Sequence, residues 1–540
     1  MRKLVECVPN VSEGRDRGVI DAIADAIRGV AGCTLLDVDA GASTHRTVYS
    51  FVGEPEAVVE GALAAARVAR ERVDMRGHKG EHPRLGALDV CPFVPVSGVS
   101  MDECVTCAKE FGRRLAETLG VPVYLYEAAS QQPHRKSLKQ IRAGEYEGLA
   151  DRITRAEWRP DFGPAEFIPA WGATVTGARD FLIAYNVNLL GTKEQAHRIA
   201  LDLREQGRAP DQPGRLAAVK AIGWWVEEHG LAQVSMNLDN YAVTPPHVAF
   251  EAVVELARAL KLAVAGSELV GLIPRQALLD AAEHYIRREG LFILDERQKI
   301  RLVVERLGLS SLAPFLPEKR IIEYRIADTR AEPLASMSVR DFVELLGSRT
   351  PAPGGGSASA LAAAMGAGLG AMVGWMTYGK RRFEAKDGVM RALIPPLHQA
   401  MQELIPLIDA DTAAFNEYMA TLGWPRDTEQ HKADRERALQ AGLEQAIEVP
   451  LEVMRAADRA WDAMLEMARH GNLASKSDLE VGGRCLELGI WGASRNVMTN
   501  LDLVHDDGFK SRARDAAEAL THRARACSAE LLRILEQRRD

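Results

Sequence analysis

The sequence predicts a multidomain protein: two α/β (α+β) subdomains followed by an all-α helical bundle. Three observations carry this. The chain has 540 residues, too long for one hydrophobic core. Up to residue 324, short apolar runs alternate with helical patterns, the signature of sheet-and-helix layers. From residue 338 onward, apolar residues recur at three- and four-residue spacing, and no strand-rich stretch interrupts them. The polar stretch between these regions is placed as the major boundary. The expected divisions are residues 1–178, 179–327, a linker at 328–337, and the bundle at 338–540.

The elements follow in order. Residues 4–8 read as a first strand that stops at Pro9-Asn10. Ser12-Glu13-Gly14 turns the chain into a helix over 17–30. A second strand covers 33–38, with Asp39 at its end, and a polar loop leads to a third strand at 47–52. Residues 54–73 combine good helix formers with helical spacing. A charged loop precedes a strand at 88–96, then a helix at 101–119 and a strand at 121–126. Pro160 to Pro164 breaks the pattern. A second unit then has strands at 181–189, 232–238 and 262–267, with helices at 193–206, 246–260 and 274–288. The two units share an element pattern without a clear sequence repeat. In the last third, residues 393–407, 437–459 and 513–537 are strong helices.

Composition narrows the function classes. Hydrophobic residues make up 47% and charged residues 26%, as in an ordinary soluble protein. A net charge of −8 argues against a general nucleic-acid binder. The uncharged stretch 357–378 is long enough to span a bilayer, but Ala, Gly and Met dominate it. Such a composition suits a helix buried in a bundle, and no membrane insertion is expected. The N-terminus has no signal-peptide core. Seven dispersed cysteines read as reduced thiols in the cytoplasm. Cys104 and Cys107 form a C-x-x-C inside a helical pattern with no second pair, so they read as core residues. The basic run from His134 to Arg142 reads as a solvated helix face, or else as a landing site for an anionic substrate tail.

The chemistry concentrates in His78-Lys79-Gly80-Glu81-His82-Pro83-Arg84. Two histidines, a carboxylate and two cations lie within seven residues, on a loop that Gly80 and Pro83 keep out of any helix. Histidine can take and return a proton near neutrality, and Arg84 offers a planar fork for a carboxylate. H-E-x-x-H spacing is lacking, so no metal is expected. A glycine loop, Gly354-Gly355-Gly356-Ser357, precedes a small-residue helix; it reads equally as an anion site at free helix N–H groups and as a loop that lets helices pack closely. No G-K-[ST] follows, so it is not a Walker motif.

Three strings resemble the glutamate formimidoyltransferase family: Val5 to Gly14, Leu36 to Gly41, and Gly80 to Asp89. Pro351-Ala352-Pro353-Gly354-Gly355-Gly356-Ser357 is similar to the opening of a formimidoyltetrahydrofolate cyclodeaminase. In this order the two halves resemble the bifunctional formiminotransferase-cyclodeaminases of histidine breakdown, over nearly the whole chain. The resemblance implies transfer of a formimino group from N-formimino-L-glutamate to tetrahydrofolate. Closure to 5,10-methenyltetrahydrofolate with release of ammonia would follow. It places His82 as the transferase acid–base group and Asp411 as that of the cyclodeaminase. Asp39 would orient His82 or face the cationic amidine, and Arg84 would clamp a glutamate carboxylate. Gly163-Pro164-Ala165-Glu166-Phe167-Ile168-Pro169-Ala170-Trp171-Gly172 would contribute to folate binding, where Phe167 and Trp171 offer flat faces; from residues alone it reads equally as a linker. Gly354 to Ser357 would line the second site. Asp409 and Asp411 lie two apart on a helix and point to different faces, so Asp409 is expected to stay out of the chemistry. The resemblance further implies a polyglutamylated folate and a homo-oligomer, an octamer; from spacing and charge, no metal and no nucleic-acid partner are expected. Rival readings are a folate-binding or scaffold protein with a dead site, and a second half that hydrolyses methenyltetrahydrofolate.

Overall fold

The computed structural model describes residues 3–42, 44–80, 83–326 and 332–538. They fall into two compact units, Met1–Ala327 and Asp328–Asp540.

The first unit opens with β1 (Leu4–Cys7), β2 (Asn10–Val11), α1 (Arg17–Arg28), β3 (Thr34–Gly41), β4 (Arg46–Gly53) and α2 (Pro55–Arg72). It continues with β5 (Leu88–Ser97), α3 (Met101–Leu119), β6 (Val123–Glu127), the short helices α4 (Leu138–Ile141) and α5 (Leu149–Arg152), and β7 (Thr174–Ala178). β1 and β2 are two pieces of one strand position, each antiparallel to both β4 and β5. β3 lies outside β4, and β7 and then β6 add in parallel beyond β5. Ile20, Ile23, Phe51, Phe93 and Phe111 fill the core between this sheet and its helices.

The second sheet comes from β8 (Ile183–Leu190), α6 (Lys193–Leu203), β9 (Val219–Val226), β10 (Leu231–Leu238), α7 (Pro246–Ala259) and β11 (Ala263–Val270). Its order is β11-β8-β10-β9, antiparallel throughout. This is the split β-α-β arrangement, and the first sheet contains it too, as β5-β1-β4-β3. The shared element pattern is therefore a shared topology. Helices α8 (Arg275–Glu289), α9 (Glu296–Leu307), α10 (Pro317–Arg320) and α11 (Ile322–Ile326) complete the unit.

The basic run 134–142 is a solvated face only in part: His134, Lys136 and Lys139 are exposed, whereas Arg135 and Arg142 turn inward. Arg135 is buried, ion-paired to Asp161 at 2.9 Å with its guanidinium over the Tyr124 ring. Arg142 pairs with the buried Asp89. The chain turns two of these cations inward to neutralise buried carboxylates, which spacing along the sequence does not reveal.

The second unit is helical: α12 (Val339–Leu346), α13 (Gly355–Thr377), α14 (Asp387–Leu404), α15 (Leu407–Leu422), α16 (Glu429–Asp458), α17 (Trp461–His470), α18 (Lys476–Leu501) and α19 (Asp507–Gln537). Among the described residues, α13 is the one helix long and apolar enough to cross a membrane, and most of it is buried. Its small residues serve a close crossing with α18. A Cβ added at Gly366 would lie 2.6 Å from the Gly482 carbonyl oxygen, and one at Gly489 2.6 Å from the Ala363 Cβ.

Candidate functional sites in the two units

His82 and Glu81 lie outside the described residues; the frame around them is clear. Gly80 rests on the β3–β4 turn, where a Cβ would come within 2.3 Å of the Thr44 carbonyl oxygen. The His78 ring stacks on His45, with centroids 4.3 Å apart and planes 3° from parallel. His78 Nε2–H donates to the His45 carbonyl oxygen at 2.8 Å, and Nδ1 accepts from Arg84 Nε at 3.4 Å. Burial lowers the His78 pKa, with His45 and Arg84 adding like charge. His78 is thus a neutral structural ring. Asp89, fully buried, ties down the far end of the loop by accepting the Leu85 N–H at 2.7 Å and pairing with Arg46 at 2.6 Å. Burial works against its charge, but Arg46, Arg142 and the Leu85 N–H hold its carboxyl below the usual range.

Arg84 is occupied. Its guanidinium pairs with Glu145 at 3.0 Å and Glu147 at 2.5 Å, and lies over the Tyr146 ring. A substrate carboxylate has to displace these partners to reach it; the Glu147 side chain is 64% exposed and can swing away. Beside Arg84 runs the segment Gly163 to Gly172. Gly163 and Gly172 have φ of 84° and 78°, and a Cβ on either would press within 2.2 Å of a backbone carbonyl. Pro164, Phe167, Ile168 and Ala170 are half-buried, whereas Ala165, Glu166 and Pro169 are exposed. Phe167 packs against Tyr146 with ring centroids 5.3 Å apart. Trp171 offers no face to a ligand: it is fully buried, with its indole N–H on Thr174 Oγ1 at 3.1 Å. A large apolar ring three residues before an interior strand is claimed by the core.

Asp39 continues β3 rather than ending it, and pairs with Val48. Its exposed side chain borders a cleft of about 400 Å³ between the two sheets of this unit. β1, β3 and β4 form one wall, with Glu6, Asp37 and Asp39. β8 and β11 form the other, with Glu268 held by Asn186 at 3.1 Å and Gln233 at 3.0 Å. Arg179 and Arg320 complete the charged lining.

In the second unit, Gly354 and Gly355 open α13, and the anion at its N-terminus is the protein's own. Asp411 of α15 accepts the Ser357 N–H, and the Ser357 hydroxyl stands 3.5 Å from Oδ2. Gly356 permits this: a Cβ there would lie 2.0 Å from Asp411 Oδ1 and 2.4 Å from Asn496 Nδ2. Burial pushes the Asp411 carboxyl above the usual carboxylate range, opposed by the two Ser357 donors. Asp411 borders a cavity of about 230 Å³ with Phe415, Pro450, Asn496 and Asn500. Pro450 has no N–H, so the Ala446 carbonyl of its helix lacks its usual partner; it accepts from Asn500 Nδ2 at 3.3 Å. Asp409 is buried elsewhere, accepting the N–H groups of Leu334 and Ala335 at 2.7 and 3.0 Å. Its contacts are structural.

The sequence reading passed over Glu6, Asp89, Asn496 and Asn500. Two of them left a trace: Glu6 is a lone charge between Val5 and Cys7 of an apolar strand, and Asp89 heads the apolar run of β5. The two asparagines left none.

Family models match three consecutive stretches. A formiminotransferase domain, N-terminal subdomain, matches residues 4–179, a formiminotransferase domain matches 184–327, and a formiminotransferase-cyclodeaminase model matches 338–519. A Dictyostelium discoideum protein named formimidoyltransferase-cyclodeaminase is 60% identical, covering 100% of both chains. The Gallus gallus protein of the same name is 57% identical over 100% of both. A glutamate formimidoyltransferase from Streptococcus pyogenes is 40% identical, covering 54% of this chain and 95% of its own. The chain belongs to the formiminotransferase-cyclodeaminase family.

Proposed function

We propose that the protein carries out two consecutive folate reactions of histidine degradation. The first unit moves the formimino group of N-formimino-L-glutamate to N5 of tetrahydrofolate. The second closes 5-formimidoyltetrahydrofolate to 5,10-methenyltetrahydrofolate and releases ammonia. The observation that carries this reading is the end-to-end likeness to bifunctional relatives.

In the transfer, N5 attacks the amidine carbon and a tetrahedral intermediate forms. N5 must lose a proton and the departing glutamate nitrogen must gain one. His82 takes the N5 proton, since an imidazole near neutral pKa suits this work. Asp39 faces the cationic amidine from the wall of the cleft. Arg84 receives a glutamate carboxylate once Glu147 swings out. Gly163 to Gly172 supports the folate, with the Phe167 ring as its flat face. In the closure, N10 attacks the formimino carbon and ammonia leaves protonated. Asp411 supplies the acid–base group, since burial raises its carboxyl above the usual carboxylate range and so towards a proton-donating role. Neither reaction demands a metal, since each moves only protons and a C–N bond.

The folate carries a polyglutamate tail, and the protein works in the cytoplasm as a homo-oligomer, an octamer by family resemblance. Met365, Trp375 and Met376 of α13 and Val481, Leu488 and Trp491 of α18 support assembly, being large apolar residues exposed to solvent. Light scattering on the purified protein checks it. For the activity, formiminoglutamate and tetrahydrofolate are supplied together. Ammonia and the methenyl absorbance should appear in equal amounts. Product without ammonia, or neither, overturns the reading.

A further inference from the structure

The interior wall of the cleft between the two sheets carries a buried carboxyl that the reaction as described leaves unused. Glu6 sits in β1 between Val5 and Cys7, both of which face the helix-covered core. Strand alternation turns Glu6 to the opposite side, into the cleft that Asp39 borders. The residue is 4% exposed, and among the described residues its carboxyl makes no hydrogen bond and no ion pair. A buried ionisable group left without such a partner is costly to keep, and it stands in a cavity large enough for a ligand. The charged groups around it are Asp37, Asp39 and Glu268, with Arg179 and Arg320. Burial pushes its carboxyl up to about 7, with Arg179 pulling in the other direction.

We propose that Glu6 is a catalytic residue of the transfer reaction, the acid that protonates the departing glutamate nitrogen. The inference rests on the transferase reading above and adds a second proton-handling group to it. One group takes a proton from N5 while another gives one to the leaving nitrogen, so neither has to do both within one collapse. In that collapse the bond between the amidine carbon and the glutamate nitrogen breaks, and its electron pair goes to nitrogen. The nitrogen takes the Glu6 proton, and the transferred group keeps its carbon and its other nitrogen as the N5-formimino product. Glu6 is left as carboxylate and recovers its proton from solvent before the next turnover.

The test is Glu6→Gln in the full chain, assayed for transfer and, with 5-formimidoyltetrahydrofolate supplied, for ring closure. Wild-type transfer comes first: if it is nil, the functional reading fails rather than this inference. Transfer by the variant should drop about 10²- to 10⁴-fold, the usual range of general acid–base effects, while ring closure is unchanged. Its melting temperature above pH 8 should rise, because a buried carboxylate has been removed, whereas a purely structural glutamate would lower it. Wild-type transfer should fall as pH rises through 7. Transfer within twofold of wild type overturns the proposal, and so does lost activity with a lower melting temperature. If the variant does not fold, the wild-type profile decides: transfer that stays level well above neutral pH overturns it.

Discussion

At the scale of single residues, two aspartates two positions apart stand in different surroundings. Asp411 stands over Gly356 in a cavity, whereas Asp409 holds two backbone N–H groups of the segment before α12. Asp411→Asn keeps the shape, and its amide oxygen can still accept the Ser357 N–H, so the fold should survive. It cannot exchange a proton, so ring closure should fall about 10²- to 10⁴-fold, with formimidoyltetrahydrofolate accumulating in a two-wavelength assay. The sign of the pH effect follows from the raised pKa. The folded state holds this proton more tightly than the unfolded chain, so the wild type loses stability as pH rises through the carboxylate range. The variant should lack that loss in melts at several pH values. Asp409→Asn should instead cost about 1–3 kcal/mol, since a neutral amide replaces two charge-assisted acceptor contacts. Its activity at low temperature should remain. The spacing put the two carboxylates on different faces, and the family resemblance, not the spacing, singled out Asp411. Glu6 was hidden because a lone glutamate in a strand looks the same whether it faces water or a cleft.

At the scale of elements, the strands that escaped the sequence reading are the two-residue β2, β7 and β9, and the last two each contain a glycine that blurs the pattern. The structure explains both. A Cβ at Gly223 in β9 would lie 2.0 Å from the His197 backbone nitrogen, because α6 packs directly on that strand. One at Gly177 in β7 would lie 2.3 Å from the Tyr126 carbonyl oxygen. In β9 the approach is between sheet and helix, in β7 between paired strands, and in both the glycine that allows it weakens the strand signature. Helices were more legible, since their apolar period survives such substitutions; residues 101–119 are found as expected in α3. Glycines in the bundle give two contrasting expectations. Gly366→Ala meets backbone of α18 on two sides, so the helices must part, at a cost of about 1–3 kcal/mol visible in chemical denaturation. Gly356→Ala meets the Asp411 carboxylate and the Asn496 amide, which can rotate away. It should leave stability nearly intact and abolish most ring closure while transfer continues. Loss of both activities would mean that the glycine serves folding rather than the position of the acid.

At the scale of the whole molecule, the change from alternating elements to uninterrupted helices was visible in the sequence, and the chain divides into units at Ala327 and Asp328. The first unit has its own two sheets and its own cores. Val52 and Val94 of the first sheet join the core of the second, so the two subdomains share one apolar interior. Cutting between them, near residue 180, would expose that interior, and such a fragment should aggregate. Cutting near residue 327 exposes none of it. A fragment ending there should be soluble and should transfer the formimino group at a rate near that of the full chain. The Streptococcus pyogenes glutamate formimidoyltransferase, whose length matches little more than this half, supports that expectation. The same independence predicts the phenotype of His82→Ala in the full protein. Transfer should nearly vanish, while closure of supplied 5-formimidoyltetrahydrofolate proceeds at the wild-type rate. If fragments ending at several points around residue 327 are all insoluble, the units depend on each other for stability. If His82→Ala lowers both activities without unfolding, the two reactions share a site and their assignment to separate units is wrong.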